Sequence, residues 1–141
     1  MNDLQAGKAG EYLVCADLIL KGHIAFPSEQ GLPFDIVLSA NGKLYKMQVK
    51  TTRKPQAVPQ RVNRTVKYIF HIRRWGKGGR QSYAKGDVDI FAIVALDTKT
   101  IGYLPAKDVK QTMFFLPENG EVVGRCACKK ISEYGLDKCL K

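Results

Sequence analysis

No run in this sequence approaches the length and apolarity needed to cross a bilayer, and residues 1–20 lack the basic start, apolar centre and small-residue cleavage site of a secretory signal. A soluble, cytoplasmic protein is expected. Cysteine is scarce: the four are Cys15, Cys126, Cys128 and Cys139, expected as thiols inside a cell. Cys126-Ala127-Cys128 with Cys139 matches none of the common zinc spacings and has no histidine near. Histidine is scarcer still. His23 and His71 sit in or beside apolar runs without an identifiable Ser or Cys partner, and are read as structural. Acids are also few, 13 against 23 Lys and Arg, for a formal charge of +10 and a pI near 9.6. That excess favours a polyanionic partner, nucleic acid foremost. The absence of a basic amphipathic helix rich in Trp or Phe argues against a membrane surface. No internal repeat or low-complexity tract divides the chain, and 141 residues suffice for one domain, 1–141, with its own core.

What is there centres on Pro33 to Thr52, PFDIVLSANGKLYKMQVKTT. Two apolar runs flank Asn41-Gly42, the dipeptide that best tolerates two successive positive φ angles and so favours a two-residue hairpin. Closing strands around it predicts Ala40 opposite Lys43, Leu38 opposite Tyr45, Ile36 opposite Met47 and Phe34 opposite Val49, one apolar face. The alternate face then carries Asp35 opposite Gln48, with Lys50 a step further. Val37 shares that face, and the later run Asp87 to Leu96 is apolar on both sides, so the sheet is expected to be covered on both faces. A charge kept on a covered face needs a partner or a task, because burying it unpaired costs several kcal/mol.

The first element is predicted as a helix from about Asp3 to Lys21, capped by Asn2 or Asp3 and stopped by Gly22. Leu4, Gly7, Glu11, Val14 and Leu18 form its expected inward stripe. Gly7 and Gly10, each costing roughly 1 kcal/mol in a helix, point to close approach of the backbone to another element or to phosphate. A short strand at His23 to Pro27 follows. Thr51 to Arg64, with Pro55, Pro59, Arg53, Lys54, Arg61 and Arg64, reads as a basic loop. Val66 to Ile72 is a strand with Tyr68, Phe70 and Ile72 on one face. It runs into Arg73-Arg74-Trp75-Gly76-Lys77-Gly78-Gly79-Arg80, a glycine-rich basic loop whose indole suits stacking on a base and whose cations suit phosphate. Asp87 to Leu96 should be a central strand turning at Asp97-Thr98-Lys99 into Ile101 to Leu104. Pro105 opens a short helical stretch, Phe114-Phe115-Leu116 returns to the core, Glu118 to Glu121 is a turn, and a last helix is expected around Ile131 to Leu140. Helix, strands and shorter helices in that order predict α+β around a mixed sheet.

Glu11 on a leading helix, Pro33-Phe34-Asp35, a hairpin and Gln48-Val49-Lys50 together resemble the PD-(D/E)XK nuclease superfamily over residues 4–54. The opening Gly7-Lys8-Ala9-Gly10-Glu11 is similar to that of small resolvases and intron-encoded endonucleases of this group. Tyr83, Asp87-Val88-Asp89-Ile90-Phe91 and Gly102-Tyr103-Leu104-Pro105 resemble the later strands of its group I intron homing endonucleases. Archaeal Holliday junction resolvases stand second. Phe34 separates Pro33 from Asp35, and Gln48 replaces the usual acid.

The resemblance implies a restriction-endonuclease-like fold: an α/β/α core with a mixed central sheet flanked by helices. It further implies a Mg²⁺-dependent DNA endonuclease, with Mn²⁺ able to substitute, and a homodimer or homotetramer. Glu11, Asp35, Gln48 and Lys50 are the implied catalytic set, with Asp35, Gln48, the Val49 carbonyl and Glu11 as metal ligands. Lys8, Arg53, Lys54, Arg61, Arg64, Arg73, Arg74, Trp75, Lys77 and Arg80 are the expected DNA contacts. A nuclease fold that binds nucleic acid without turnover is the alternative of another class.

Overall fold

The structure, a computed structural model, describes residues 1–58, 66–72, 74–76, 79–81, 83–120 and 128–140, with the backbone alone for 74–76 and 79–81. Arg61, Arg64, Arg73, Lys77 and Cys126 lie outside the described residues. Helix α1 spans Asp3–Leu20. Strands β1 (Ile24–Pro27), β2 (Ile36–Ala40), β3 (Lys43–Thr52), β4 (Gln56–Ala57), β5 (Val66–His71), β6 (Arg74–Gly76), β7 (Gly79–Gln81), β8 (Ile90–Ala95), β9 (Thr100–Pro105) and β10 (Thr112–Phe115) follow, with 3-10 turns at Ala106–Asp108, Ile131–Glu133 and Leu136–Cys139.

The central sheet runs β1-β2-β3-β8-β9; β3 and β8 are parallel and the other pairings antiparallel. β2 and β3 close at Asn41 and Gly42, whose φ angles of 52° and 78° are those a two-residue hairpin turn demands. Ala40–Lys43, Leu38–Tyr45 and Ile36–Met47 pair as the turn predicts. Alternation then sorts side chains into two cores. Ile36, Leu38, Met47, Val49, Ala92 and Val94 pack with Val14 and Leu18 of α1 on one face, while Phe91, Ile93 and Ala95 join Tyr68, Phe70 and Phe115 on the other. Every residue of β8 is buried, as expected of a strand between two covered faces.

Several expectations are corrected. The second face is covered by a three-stranded sheet, β10-β5-β4, where a helix was expected. Its strand β4 falls in the segment read as a basic loop, paired through Gln56–Lys67 and Ala57–Val66. The run Arg73 to Arg80, read as an open loop, carries the antiparallel pair β6 and β7, with Trp75 opposite Arg80. The last helix is replaced by two 3-10 turns, because residues 131–140 must cross the exposed edge of β9. Tyr103 N–H donates to the Tyr134 carbonyl at 2.9 Å, Ile131 enters one core and Leu136 the other. Gly102 permits this crossing, since a Cβ there would stand 2.7 Å from the Ile131 carbonyl oxygen.

Helix α1 begins with a capping box between Asn2 and Gln5 and ends before Gly22 at φ 90°. Its inward face is Ala6, Gly10, Val14, Cys15 and Leu18; Leu4 is 85% exposed and Gly7 has no atom near its missing Cβ. The apolar spacing fits more than one stripe on this helix. The choice between them is made by contact with the sheet. A Cβ on Gly10 would stand 1.9 Å from Thr51 Oγ1 and 3.1 Å from Thr51 Cβ, so the helix lies on β3 at the distance only glycine allows.

Candidate active site

The end of β3 reads Met47-Gln48-Val49-Lys50-Thr51, and the groups of interest gather there. The β2 ladder stops at Ile36–Met47. Beyond it Asp35 N–H donates to the Met47 carbonyl at 2.8 Å, so Asp35 and Ile36 both stand opposite Met47, as in a β-bulge. The expected Asp35–Gln48 and Phe34–Val49 pairs do not form as ladder pairs, and Phe34 packs against the opposite core, the one that holds Phe91 and Val88. This leaves the Val49 N–H facing β2 without a backbone acceptor. Asp35 Oδ2 takes it at 3.0 Å, meeting the requirement that a buried amide find a partner. Ser28 secures the approach: its N–H donates to the Asp35 carbonyl at 2.9 Å and its hydroxyl to the Phe34 carbonyl.

Glu11 comes from α1, one residue after the glycine that seats the helix on Thr51. Its carboxylate pairs with Lys8 Nζ at 2.8 Å and is close enough to Asp35 to act on its titration. Burial pushes the Asp35 carboxyl up to about 6, the nearby Glu11 carboxylate adds to the rise, and the Val49 N–H and Lys50 ammonium oppose it. Lys50, reached from the other side of β3, is held below its usual range by burial, with Asp35 acting the opposite way. Its ammonium stands 5.1 Å from the centroid of the Tyr83 ring, which itself packs edge-on against Phe91 at 5.4 Å. Gln48 is half-buried on β3 between Met47 and Val49.

Two carboxylates drawn together in a desolvated corner need a proton or a cation between them. The Asp35 and Glu11 oxygens, with the side-chain oxygen of Gln48 and the carbonyl of Val49 nearby in sequence, are hard donors of the type Mg²⁺ and Mn²⁺ take. Among the described residues no group of three or more His, Cys, Asp or Glu side chains that could hold a metal ion gathers.

Of the expected DNA contacts, Lys8 is exposed but paired with Glu11. Arg53 donates to Asp3 Oδ1 at 3.0 Å and to the Met1 carbonyl at 2.9 Å, and Lys54 is exposed. Arg74, Trp75 and Arg80 lie on β6 and β7. Sequence reading missed Ser28, the role of Tyr83 beside Lys50, and the cations of a cleft of about 690 Å³ that Tyr83 also lines, namely Lys85, Lys107 and Lys110. Nothing in their spacing marks them, because Lys85 comes from one loop and Lys107 and Lys110 from another. Asp87 and Asp89 serve structure: Asp87 Oδ2 accepts from Ala84 N–H, and Asp89 Oδ2 from Lys46 N–H, both at 2.8 Å.

Comparison with known proteins bears on this arrangement. No curated protein is significantly similar in sequence. Among solved structures, the fold is similar to that of the bacterial homing endonuclease I-Ssp6803I, with a TM-score of 0.68 at 16% identity over 89% of this chain and 86% of that one. The family model described as PD-(D/E)XK endonuclease matches residues 1–135. A match over nearly the whole length, on a mixed sheet whose leading helix and first hairpin carry the expected motif, makes this chain a member of the PD-(D/E)XK endonuclease family.

Proposed function

We propose that the chain is a divalent-metal-dependent DNA endonuclease, site-specific as homing and restriction enzymes are, working as one domain in a homodimer or homotetramer. The observation that carries the reading is the Asp35 carboxyl, fixed to the Val49 N–H at 3.0 Å while Glu11 and Lys50 act on its charge from either side. Asp35, Glu11, the Gln48 amide oxygen and the Val49 carbonyl would hold Mg²⁺, with Mn²⁺ able to replace it. When bound, the ion supplies charge neutralisation at the phosphate and acidifies a water. Lys50 orients the attacking water and offsets phosphate charge, and Tyr83 keeps its ammonium directed at the site. Lys8 and Arg53 lie on the α1 side of β3, and Lys85, Lys107 and Lys110 line the cleft beyond Tyr83. The backbone of a duplex crossing the strand end would run between them, with Lys54, Arg61, Arg64, Arg73, Arg74, Trp75, Lys77 and Arg80 extending the contact.

Linear duplex, supercoiled plasmid, single strand and four-way junction incubated with the protein in Mg²⁺ test this. Duplex and plasmid are cut, and EDTA stops the reaction. Cleavage of the junction alone would make the enzyme a resolvase. A second reading rests on Gln48, which leaves the site one negative charge short: a protein that binds DNA without cutting it. Binding of every form with no cleavage in Mg²⁺ or Mn²⁺ would establish that reading.

A further inference from the structure

A phosphate is held by cations and hydrogen-bond donors, and an apolar surface gives it nothing. The cleft rimmed by Lys85, Lys107 and Lys110 nevertheless has an apolar floor, made of buried Ile72, Val88 and Phe91 with half-buried Val109 beside them. Its walls are tied to one another. Lys46 N–H donates to Asp89 Oδ2 and Asp89 N–H to the Lys46 carbonyl, both at 2.8 Å. Ala106 N–H donates to the Asp89 carbonyl at 2.9 Å, and Ile72 N–H to the Gln111 carbonyl at 2.8 Å. The space of about 690 Å³ is therefore formed before anything enters it, and its size is that of an ordinary ligand pocket. Asp89 is the acid among its lining residues, and its carboxylate already accepts from Lys46.

The cleft adjoins the catalytic corner. Gln48 and Phe91 are partners in the parallel β3–β8 ladder, so their side chains leave the same face of the sheet as neighbours. Tyr83 joins the two places: Lys50 Nζ lies over its ring, and the ring packs edge-on against Phe91 of the floor.

We propose that the cleft takes one unstacked nucleotide of the DNA, its base on the apolar floor beside Tyr83 and its flanking phosphates on Lys85, Lys107 and Lys110. An apolar bed with a cationic rim matches the two halves of a nucleotide, a flat ring and a charged backbone. A paired base must leave its stack to enter, whereas a base without a partner enters at least cost. DNA with an unpaired nucleotide beside the cut is then bound tightest. The proposal rests on the nuclease reading for its DNA and adds a base contact away from the metal.

Three duplexes of one sequence test it, titrated with the full chain in Ca²⁺: fully paired, with a single bulged thymine, and with an abasic unit bulged at the same place. The thymine bulge should bind roughly tenfold tighter than the paired duplex, and the abasic bulge, which bends as easily but has no base, should not. Val109→Trp, which fills the floor, should remove that advantage and leave affinity for the paired duplex unchanged. Independently of any variant, 5-iodouracil at the bulge should photo-crosslink to the wild type within residues 83–91 or 105–111, mapped by mass spectrometry. Equal binding of the thymine and abasic bulges, an advantage that survives in folded Val109→Trp, or crosslinks confined to other segments would overturn the pocket. No preference for the bulged base in a protein that still cuts plasmid would remove the pocket and leave the nuclease; the preference without cleavage of any DNA would do the reverse.

Discussion

Asp35 does two things at once: it caps an amide at the end of a broken ladder and offers a carboxylate to a charged corner. Its carboxyl is pushed from the ordinary 3.8 up to about 6, chiefly by burial. Between those two values the folded protein holds more protons than the unfolded chain, so stability contributed by this group falls as pH rises from about 4 to about 6. The loss should be on the order of 1–2 kcal/mol, allowing for partial exposure. Urea unfolding in EDTA at pH 4.5 and 7.0 should show it in the wild type and not in Asp35→Asn; parallel behaviour of the two would contradict the assignment. Adding Mg²⁺ at pH 7 should stabilise the wild type by about 1.4 kcal/mol at ten times its dissociation constant and leave Asp35→Asn unmoved. Lys50→Ala should slow single-turnover cleavage by about 10²–10⁴-fold while binding in Ca²⁺ changes little. A variant that still cuts at the wild-type rate would take Lys50 out of the chemistry.

At the scale of elements, the two glycines of α1 looked alike in the sequence and differ in the fold. Gly7 has open space where its Cβ would be, whereas Gly10 lies against Thr51. Gly7→Ala should therefore stabilise the protein by about 0.5–1 kcal/mol through helix propensity. Gly10→Ala should destabilise it by about 1–3 kcal/mol, because Thr51 cannot move both its Oγ1 and its Cβ out of the way. Thermal melts of the two variants decide this, and equal shifts would mean that the helix seats elsewhere. Gly10→Ala should also depress cleavage more than folding, since lifting α1 carries Glu11 away from Asp35. The hairpin of β2 and β3 was legible down to its register because Asn41-Gly42 admits one tight turn and alternation does the rest. The register failed at Asp35, where a second residue opposite Met47 ends the ladder and Ser28 holds the entering loop, in a stretch with no periodic signal.

Across the whole molecule, a charge of +10 should make DNA binding steeply salt-dependent. Neutralising Lys107 and Lys110 together should lower the slope of log K against log salt by about 1–2, as should replacing Arg73, Arg74, Lys77 and Arg80, with a larger change for the four. An unchanged slope for either set would take that surface off the DNA path. By itself the sequence determined the elements whose signals are local: the capped leading helix, the Asn-Gly hairpin, the doubly buried strand β8 and the order Glu11, Asp35, Gln48, Lys50 along them. Those features follow from side-chain period, turn chemistry and residue type, which a short window contains. Tertiary structure decided which stripe of α1 faces inward, that a second sheet covers the far face, that Tyr83 stands beside Lys50, and that lysines from separate loops share one cleft. Each of these is a contact between segments far apart in the chain, fixed by the fit of one surface to another.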